Sequence, residues 1–435
     1  MNKEPGTEAL GSVNHRAWQK QSAGYKLLYK YARFCFRSFY SAIHVEGENN
    51  IPVGKPVIFA SNHQNALMDP LAILFCADQP VYFLARADIF KKRFVAKILD
   101  FLKIMPVYRL RDEVDIIEKD KEVFKKTAAL LSDGNSLGIL PEGTHTPIKK
   151  LSKLKKGICR IAFETISDAG FNSDLFIVPV GIDYSDYKSQ GSDLVVLFGK
   201  PLEVKDYYSL YQENPNKAIA RLRDDLAESI KSLMINIDTD GEYQFIYNYS
   251  QLSANTSIER LIINTENRKE LSNAEYNNDK ASRRSTKSAG LIYERYKSVR
   301  DEVERLKYLY NNNIDAYQEL KEKFSHEISK SEIPYSLSGL VNKNSTIFIR
   351  TIKLAISLFA YCLNFPPFLL ADYFSKNVKD QQFQGTLKYG SSLIFFPLWY
   401  LMLFSIVSSF FGLLIGLATT LISFILAVLK LKYAD

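Results

Sequence analysis

Two short polar stretches of the chain hold the residues best suited to chemistry. Ser61–Pro70 (SNHQNALMDP) contains His63 and Asp69 with five residues between them, and Leu140–Thr146 (LPEGTHT) contains a glutamate and a second histidine. An imidazole held by a carboxylate is an effective neutral general base, because the carboxylate fixes the tautomer and stabilises the imidazolium as it forms. The first stretch therefore predicts a base that deprotonates a hydroxyl group.

The residues around the first stretch predict where His63 lies. The apolar run Pro56–Ala60 is typical of a buried strand, so His63 follows a strand end, where open α/β sheets place their chemistry. Asp69 precedes Pro70, and because Pro is favoured at the first helical position, Asp69 is predicted to cap a helix. His63 and Asp69 are then expected to meet across one tight turn. The spacing alone leaves a second interpretation open, in which Asp69 only caps the helix and His63 only makes a hydrogen bond in the turn.

Strand and helix patterns alternate through residue 204. This alternation predicts an α/β domain with a mostly parallel, covered sheet. The predicted strands cover 56–60, 81–85, 104–108, 137–140, 175–182 and 194–198, and the predicted helices cover 89–102, 114–131, 154–169 and 216–235.

The full chain of 435 residues is too long for one ordinary hydrophobic core. We predict four segments, which differ in composition. They are an N-terminal membrane-interface region (1–45), the α/β domain (46–238), a polar helical hairpin packed beside it (239–345) and a membrane-embedded tail (346–435).

The N-terminal region contains a basic amphipathic helix, predicted over 22–43. Four basic residues recur at helical spacing and share one face, while aromatic and apolar residues cover much of the rest; they are Lys26, Lys30, Arg33 and Arg37. This composition is typical of a helix in a membrane interface, although a helix packed on its own domain with a solvated basic edge fits as well. The net charge of +8 fits an anionic membrane or nucleic acid. Because no nucleic-acid-binding motif accompanies the charge, we predict a lipid bilayer as partner and no nucleic acid.

The tail is apolar enough to enter a bilayer. Residues 391–429 carry no charge, and since one crossing needs about 20 residues, this run predicts two crossings with a turn near 408–412. Residues 354–371 form another uncharged run, which an Asn-Phe-Pro-Pro sequence (364–367) interrupts; this favours a shallow re-entrant segment. Basic residues flank every run, so both chain ends and the α/β domain are predicted on the cytoplasmic side.

Cysteine usage and the N-terminal composition indicate the cellular compartment. Residues 1–20 are polar, so no signal peptide is expected. The four cysteines lack the spacing of a disulfide framework or a metal site, which indicates buried thiols in a reducing compartment. We predict an integral membrane protein on the cytoplasmic face of the inner (plasma) membrane or, in a eukaryotic cell, of the endoplasmic reticulum.

The two polar stretches together resemble the glycerolipid acyltransferase family of phospholipid synthesis. That family has an Asn-His-x4-Asp motif and a Phe-Pro-Glu-Gly-Thr-Arg motif, which this chain matches with Asn62-His63 before Asp69 and with Pro-Glu-Gly-Thr at 141–144. The resemblance implies that His63 is the catalytic base and Asp69 its partner. The five-residue gap and Asn65 resemble the branch that acylates glycerol 3-phosphate or dihydroxyacetone phosphate, which gives Asn65 a place in the acceptor site.

Two further blocks extend the resemblance. Arg86, at the end of a predicted strand, and Arg109, which matches the final Arg of the second block, are implied to hold the acceptor phosphate. Arginine suits this role because its planar guanidinium makes two charge-assisted bonds to a phosphate, although strand-end arginines are also common as solvated charges. Lys103 stands where the second block usually has Gly. The fourth block, which contains Pro179, is implied to line the acyl side.

The third block departs from the family at one position. Glu142, Gly143 and Thr144 are implied to shape the acceptor pocket, and Glu142 is also placed to orient Arg109 or a backbone amide. The next residue is His145 where the family has arginine, so one charged phosphate ligand is lost or replaced. A lysine cluster that follows either attracts the phosphates of coenzyme A or is the solvated approach to the next helix; its members are Lys149, Lys150, Lys153, Lys155 and Lys156.

The resemblance, over about residues 25–205, implies a membrane-bound O-acyltransferase. It would move a fatty acyl group from a thioester of coenzyme A or acyl carrier protein to the hydroxyl of glycerol 3-phosphate or dihydroxyacetone phosphate. No cofactor or metal is expected, because a thioester is already activated, and no covalent enzyme intermediate is expected, because no Ser or Cys adjoins His63 in a nucleophile motif. Two alternatives stay open. One is a 1-acylglycerol-3-phosphate acyltransferase that makes phosphatidic acid, and the other is a non-catalytic lipid-binding membrane scaffold, against which the intact His63 and Asp69 argue.

Overall fold

The computed structural model describes residues 21–107, 125–168, 174–239, 241–267, 287–330, 347–376, 378 and 380–433. Its centre is an eight-stranded sheet. The strands are β1 (Ala42–Glu46), β2 (Val57–Ser61), β3 (Val81–Arg86), β4 (Ile104–Val107), β5 (Ser136–Ile139), β6 (Phe176–Tyr184), β7 (Asp193–Phe198) and β8 (Leu202–Glu203). In the sheet they follow the order β1-β7-β6-β2-β5-β3-β4, and β8 pairs with β6.

Most neighbouring strands run parallel, as the sequence predicts. Only β6 pairs antiparallel with its neighbours β7 and β8, whereas its pairing with β2 and all the other pairings are parallel. At the end of β2, Ser61 lies opposite Val180 of β6. The residues that follow β2 therefore lie beside the last part of β6.

Helices cover both faces of the sheet. They are α1 (Ala23–Phe39), α2 (Met68–Cys76), α3 (Arg93–Phe101), α4 (Gly157–Asp168), α5 (Tyr208–Glu213) and α6 (Pro215–Ser232). Successive residues of β2 point to opposite faces, so Phe59 packs in the core with α1 and α2, and Ile58 packs in the core with α4 and α6. The predicted fold class, a mostly parallel and covered α/β sheet, is confirmed.

Several boundaries differ from the sequence prediction. The N-terminal helix ends at Phe39, and the residues just after it form β1, which pairs with β7 across the predicted segment boundary at residue 45. The helix predicted over 89–102 is shortened to α3, because Ala87–Phe90 forms a 3-10 turn. Most of the helix predicted over 114–131 lies outside the described residues. The part of this helix that the structure describes covers 125–132.

Where the sequence predicts a polar hairpin, the described residues 241–267 and 287–330 form three helices. They are α7 (Tyr243–Asn267), α8 (Lys287–Asn312) and α9 (Ile314–Lys330). Tyr296 and Val299 of α8 share a core with Val195 and Leu197 of β7, so this region packs on the edge of the sheet. The break predicted over 277–288 falls almost entirely outside the described residues.

The tail forms four helices: α10 (Ile347–Leu363), α11 (Phe365–Lys376), α12 (Gln384–Phe411) and α13 (Leu413–Tyr433). By length and composition, α12 and α13 are each able to cross a membrane, while α10 and α11 are bent by 89° into a broken span or a re-entrant loop. The bend falls at Asn364, whose amide donates to the carbonyl oxygens of Ala360 (3.0 Å) and Ser423 (3.1 Å). The predicted interruption is confirmed, and so is the predicted turn, because Gly412 separates α12 from α13 at a φ of 88°.

The N-terminal helix packs against the tail. The Tyr31 hydroxyl donates to the carbonyl oxygen of Leu393 in α12 (2.9 Å), and the Tyr389 hydroxyl of α12 donates to the backbone of α1 (2.8 Å). Phe34 of α1 stacks on Phe424 of α13, with ring centroids 6.0 Å apart. Because α1 meets the beginning of α12 and the second half of α13, the two tail helices form a hairpin that returns towards α1.

The basic side chains of α1 share one face, as predicted. All four line a single groove of about 630 Å³ together with Tyr29, Phe34 and Asp78; they are Lys26, Lys30, Arg33 and Arg37. Arg33 also pairs with Asp78, with 2.5 Å between Nη1 and Oδ1. The groove also contains the side chains of Lys26, Lys30 and Arg37.

Candidate active site

The site begins where β2 ends. The side chain of Asn62 pairs with the backbone of Ile182 in both directions, because its amide donates to the Ile182 carbonyl oxygen and its oxygen accepts from the Ile182 N–H, each at 2.8 Å. Asn62 thus continues the sheet by one residue with side-chain atoms. This pairing fixes the position of the next residue, His63.

His63 and Asp69 meet as the sequence predicts. The distance from Nδ1 of His63 to Oδ2 of Asp69 is 2.8 Å, and the same oxygen accepts from the backbone N–H groups of Gln64 and Asn65, each at 2.8 Å. Asp69 is completely buried, whereas the His63 side chain keeps 13% of its surface exposed. The carboxylate therefore orients the imidazole from inside the protein, and the ring faces outwards.

The predicted helix cap is wrong. The helix α2 begins at Met68, two residues earlier than predicted, and Asp69 lies in its first turn. The Asp69 carboxylate accepts hydrogen bonds from backbone N–H groups of the loop before the helix, and not from those of the helix itself. This arrangement accommodates the fifth residue between His63 and Asp69 without breaking their contact.

Tyr184, at the end of β6, completes the surroundings of Asp69. Its hydroxyl donates to the second carboxylate oxygen, Oδ1, at 2.7 Å. Burial raises the pKa of the Tyr184 hydroxyl well above its usual value, so the group remains a neutral donor. The sequence did not predict this role for Tyr184, because only the pairing of β6 with β2 brings it to Asp69.

Glu142 joins the two polar stretches. It is 2% exposed, and its carboxylate accepts from the backbone N–H of His63 (2.6 Å) and from that of Ser152 (2.8 Å). Burial raises the pKa of Glu142, and these hydrogen bonds oppose the rise. The predicted binding of backbone amides by Glu142 is present. The other predicted role, orientation of Arg109, stays a prediction, because Arg109 lies outside the described residues.

The rest of the second stretch lies at the surface beside His63. Gly143 and Thr144 are exposed, and Gly143 has a φ of 71°, a left-handed conformation that favours glycine. The ring of His145 is 5.3 Å from the ring of His63 and nearly perpendicular to it, at 72°. The structure thus brings both histidines of the two stretches to one place.

The structure describes only some of the other predicted site residues. The side-chain amide of Asn65 donates a hydrogen bond to the carbonyl oxygen of Tyr187 (2.6 Å). Pro179 is buried in β6, opposite Ala60 of β2. Arg86 is the last residue of β3, but its side chain lies outside the described part, as does the whole of Arg109.

Lys103 adopts a left-handed backbone conformation, which favours glycine. Its φ is 62°, in the left-handed region, and its ammonium donates to the Tyr82 hydroxyl at 3.2 Å. The ammonium also lies 4.9 Å from the ring centroid of Tyr25 and 4.6 Å from that of Tyr82. These contacts offset the cost of the backbone conformation, so the loop keeps its turn without a glycine.

Comparison with known proteins identifies the α/β domain. Residues 42–183 match the Acyltransferase family model. Residues 42–183 form an acyltransferase domain. The matched region runs from β1 to the end of β6 and includes both polar stretches, which confirms the predicted glycerolipid acyltransferase family.

Two curated relatives of the acyltransferase domain share the same enzyme name. A chloroplastic 1-acyl-sn-glycerol-3-phosphate acyltransferase of Arabidopsis thaliana is 28% identical over 126 residues, which cover 28% of this chain and 33% of the relative. The 1-acyl-sn-glycerol-3-phosphate acyltransferase of Borreliella burgdorferi is 31% identical over 123 residues, which cover 28% of this chain and 47% of the relative. The chain thus spans between about a third and about half of the length of these curated relatives. Both are named for an acylated acceptor, so they do not support the predicted nearness to the glycerol 3-phosphate branch.

Among solved structures, the 1-acyl-sn-glycerophosphate acyltransferase of Thermotoga maritima is similar to this chain. It is 21% identical with a TM-score of 0.35, and the alignment covers 51% of this chain and 89% of that chain.

One lysine after the second stretch is a structural residue of the acyltransferase domain. Lys149 is 5% exposed, and its ammonium binds both carboxylate oxygens of Asp183 at 2.7 Å and the carbonyl oxygen of Tyr184 at 2.9 Å. The two interpretations of the lysine cluster, attraction of coenzyme A and a solvated approach, are therefore both wrong for Lys149. They stay open for Lys153, Lys155 and Lys156, which are exposed.

Proposed function

We propose that this protein is an O-acyltransferase that moves a fatty acyl group from a thioester to the free hydroxyl of a glycerol phosphate. The observation that carries the proposal is the contact between Nδ1 of His63 and the buried carboxylate of Asp69. With Nδ1 held, Nε2 is the ring nitrogen that faces a substrate. The arrangement is that of a neutral imidazole base whose positive charge, once formed, is stabilised by a carboxylate.

The reaction balances with this one base. Nε2 of His63 takes the proton of the acceptor hydroxyl while the hydroxyl oxygen attacks the thioester carbonyl carbon. The tetrahedral intermediate collapses, the carbon–sulfur bond breaks, and an oxygen ester forms. The imidazolium then returns its proton to the departing thiolate, so the base is regenerated and the thioester alone supplies the activation.

The acceptor that we propose is 1-acylglycerol 3-phosphate, and the product is then phosphatidic acid. The site lies beside the start of an apolar tail helix, because the N–H of Leu67, in the His63 loop, donates to the hydroxyl of Thr386 in α12 (3.2 Å). A lipid acceptor in the bilayer surface would reach His63 by a short path. The names of the relatives favour the same acceptor.

Glycerol 3-phosphate, or its ketone analogue, is the second candidate acceptor. The five-residue gap between His63 and Asp69, together with Asn65, supports it. Both candidates share the phosphate and the free hydroxyl and differ in the acyl chain.

An acceptor panel with the purified full chain tests the order of the candidates. We expect the acylated acceptor to have a kcat/KM about tenfold above that of glycerol 3-phosphate. Burial of two methylene groups of its acyl chain, at about 0.8 kcal/mol each, gives about that ratio. A higher kcat/KM for glycerol 3-phosphate or dihydroxyacetone phosphate would reverse the order. Release of free thiol is measured with and without acceptor, and a protein that releases none in either case would be the non-catalytic scaffold.

We also propose that the tail is embedded in the membrane with the acyltransferase domain on the cytoplasmic face. The turn between α11 and α12 contacts the domain through Thr386, so the turn and the domain lie on the same side of a bilayer. The basic groove of α1, the helix that packs on the tail hairpin, supports this proposal, because cationic side chains attract anionic lipid headgroups. The cytoplasmic side follows from the basic flanks of every apolar run.

Cysteine labelling tests this topology. Lys376→Cys, at the exposed end of α11, is introduced in a chain whose four native cysteines are replaced by alanine. A membrane-impermeant thiol reagent is expected to leave this cysteine unmodified in intact cells and to modify it after permeabilisation. Lys30→Cys on α1 is the matched control and is expected to behave identically. Modification of Lys376→Cys in intact cells would contradict the hairpin arrangement.

A further inference from the structure

The turn between α11 and α12 lies directly on the two polar stretches of the acyltransferase domain. We call residues 380–386 the tail turn. Asp380 accepts a hydrogen bond from Nε2 of His145 (3.0 Å), and the ring of Phe383 is 5.4 Å from the ring of His145. At its other end, Thr386 accepts from the N–H of Leu67. The tail turn therefore contacts both the loop that holds His63 and the loop that holds His145.

The contact with the His63 loop is close. Gly385 is buried, and a Cβ atom at this position would lie 3.0 Å from the carbonyl oxygen of Tyr187 and 3.5 Å from the side-chain nitrogen of Asn65. Asn65 itself donates to that same Tyr187 oxygen. Glycine thus allows the tail turn to pack against the residues that fix the loop after His63. Nearby, Lys188 donates to Gln381 (2.6 Å), which adds a third attachment.

We propose that Asp380 is a positioning residue of the active site, which holds His145 beside His63 so that its imidazolium binds the phosphate of the acceptor. This inference rests on the proposed function. With Nε2 bound to the Asp380 carboxylate, Nδ1 is the ring nitrogen left for a ligand, and the ring lies 5.3 Å from that of His63. The acceptor hydroxyl at Nε2 of His63 and the acceptor phosphate at His145 would then be bound side by side.

The chemistry of histidine explains why a carboxylate partner matters here. A neutral imidazole is a weak ligand for a phosphate, whereas an imidazolium makes a charge-assisted hydrogen bond. A carboxylate that accepts from Nε2 fixes the ring orientation. The hydrogen bond from His145 in turn lowers the pKa of Asp380, so the carboxylate stays ionised.

Four variants and one control test this role with the full chain in detergent. They are Asp380→Asn, His145→Gln, His145→Arg and the double variant His145→Arg with Asp380→Asn, and the control is Asp372→Asn. Asp372 is a tail carboxylate that pairs with Lys388 at 3.4 Å, away from His145. The acceptor is 1-acylglycerol 3-phosphate, and the measured quantities are kcat, the acceptor KM and the thioester KM.

We expect Asp380→Asn and His145→Gln to raise the acceptor KM by about tenfold or more, the effect of one lost charge-assisted hydrogen bond, while the thioester KM stays unchanged. Arginine carries its charge without a carboxylate partner, so Asp380→Asn is expected to have little effect on the acceptor KM in the His145→Arg background. A contact that only stabilises the fold would not show this rescue.

Two kinetic results would overturn the inference. One is that Asp380→Asn behaves like Asp372→Asn. The other is a combination of two findings. Asp380→Asn raises the KM of both substrates equally or lowers kcat alone, and the same change has the same effect in the His145→Arg background.

A second measurement separates failure of this inference from failure of the proposed function. Cysteines that replace His145 and Asp380, in the chain without native cysteines, are treated in membranes with a short bifunctional thiol reagent. We expect a cross-link, and we expect less of it when the second cysteine replaces Asp372. If no glycerol phosphate is acylated by the unmodified protein, the proposed function is wrong even when this cross-link forms; if the cross-link is absent, the placement of Asp380 is wrong whatever the activity.

Discussion

His63→Ala is expected to lower kcat for acyl transfer by about 100- to 10,000-fold, the usual contribution of a positioned general base. The fold should survive this change, because the hydrogen bonds of His63 to Glu142 and Thr146 are made by its backbone. Its N–H donates to Glu142, and its carbonyl oxygen accepts from the N–H of Thr146 at 3.1 Å. An alanine keeps both bonds. The measurement is kcat at saturating thioester and acceptor, together with the thermal unfolding midpoint.

Asp69→Asn is the matched test of the partner. The Tyr184 hydroxyl accepts as well as it donates, so the introduced asparagine is expected to turn its amide towards Tyr184 and its oxygen towards His63. The geometry is then kept while the charge that stabilises the imidazolium is lost, and kcat should fall nearly as far as in His63→Ala. Tyr184→Phe keeps the charge and is expected to have a much smaller effect. If His63→Ala retains more than about a tenth of the activity, His63 is not the base.

Much of the fold follows from periodicity in the sequence. The strands β2, β6 and β7 are mostly apolar and buried on both faces, which is the pattern of central strands in a covered sheet. By contrast, β1 (AIHVE) is short, is only partly buried and carries a histidine and a glutamate. Its place in the sheet depends on pairing with β7, a partner distant in the chain, and no local pattern reports such a pairing.

The site was predictable in its centre and not in its surroundings. The strand end, the turn and the spacing of His63 and Asp69 are all local in sequence, so their contact could be inferred. The contacts of Tyr184 with Asp69 and of Glu142 with the His63 N–H join segments that only the sheet brings together. The reach of the tail turn to His145 is more distant still, since a separate helical region lies between them in the chain.

The lysine cluster shows why charge in a sequence does not locate a side chain. Five lysines within residues 149–156 suggest a solvated surface, yet Lys149 is buried and the next ones along are not. Lys149 is held by Asp183, near the end of β6, and by Tyr243, whose hydroxyl accepts from the Lys149 N–H at 2.9 Å. A buried carboxylate needs a cation, and this lysine supplies it.

Lys149→Met is expected to destabilise the protein by about 3–5 kcal/mol, because it leaves the Asp183 carboxylate buried without its cation. For a domain of this size the unfolding midpoint should fall by roughly 6 to 20 °C. Lys153→Met, which changes an exposed member of the same cluster, is the control and should leave the midpoint within a degree or two. Thermal unfolding of the purified variants measures the difference.

The same variant should impair the active site below its unfolding midpoint. Asp183 lies between Ile182, which pairs with Asn62, and Tyr184, which binds Asp69, so a shift of this strand end moves both supports of the His63–Asp69 pair. Replacement of both partners, Lys149→Met with Asp183→Leu, is expected to recover much of the lost stability, since an apolar pair of similar volume often matches a buried ion pair. A Lys149→Met protein with an unchanged midpoint and a raised thioester KM would instead assign Lys149 to the acyl donor.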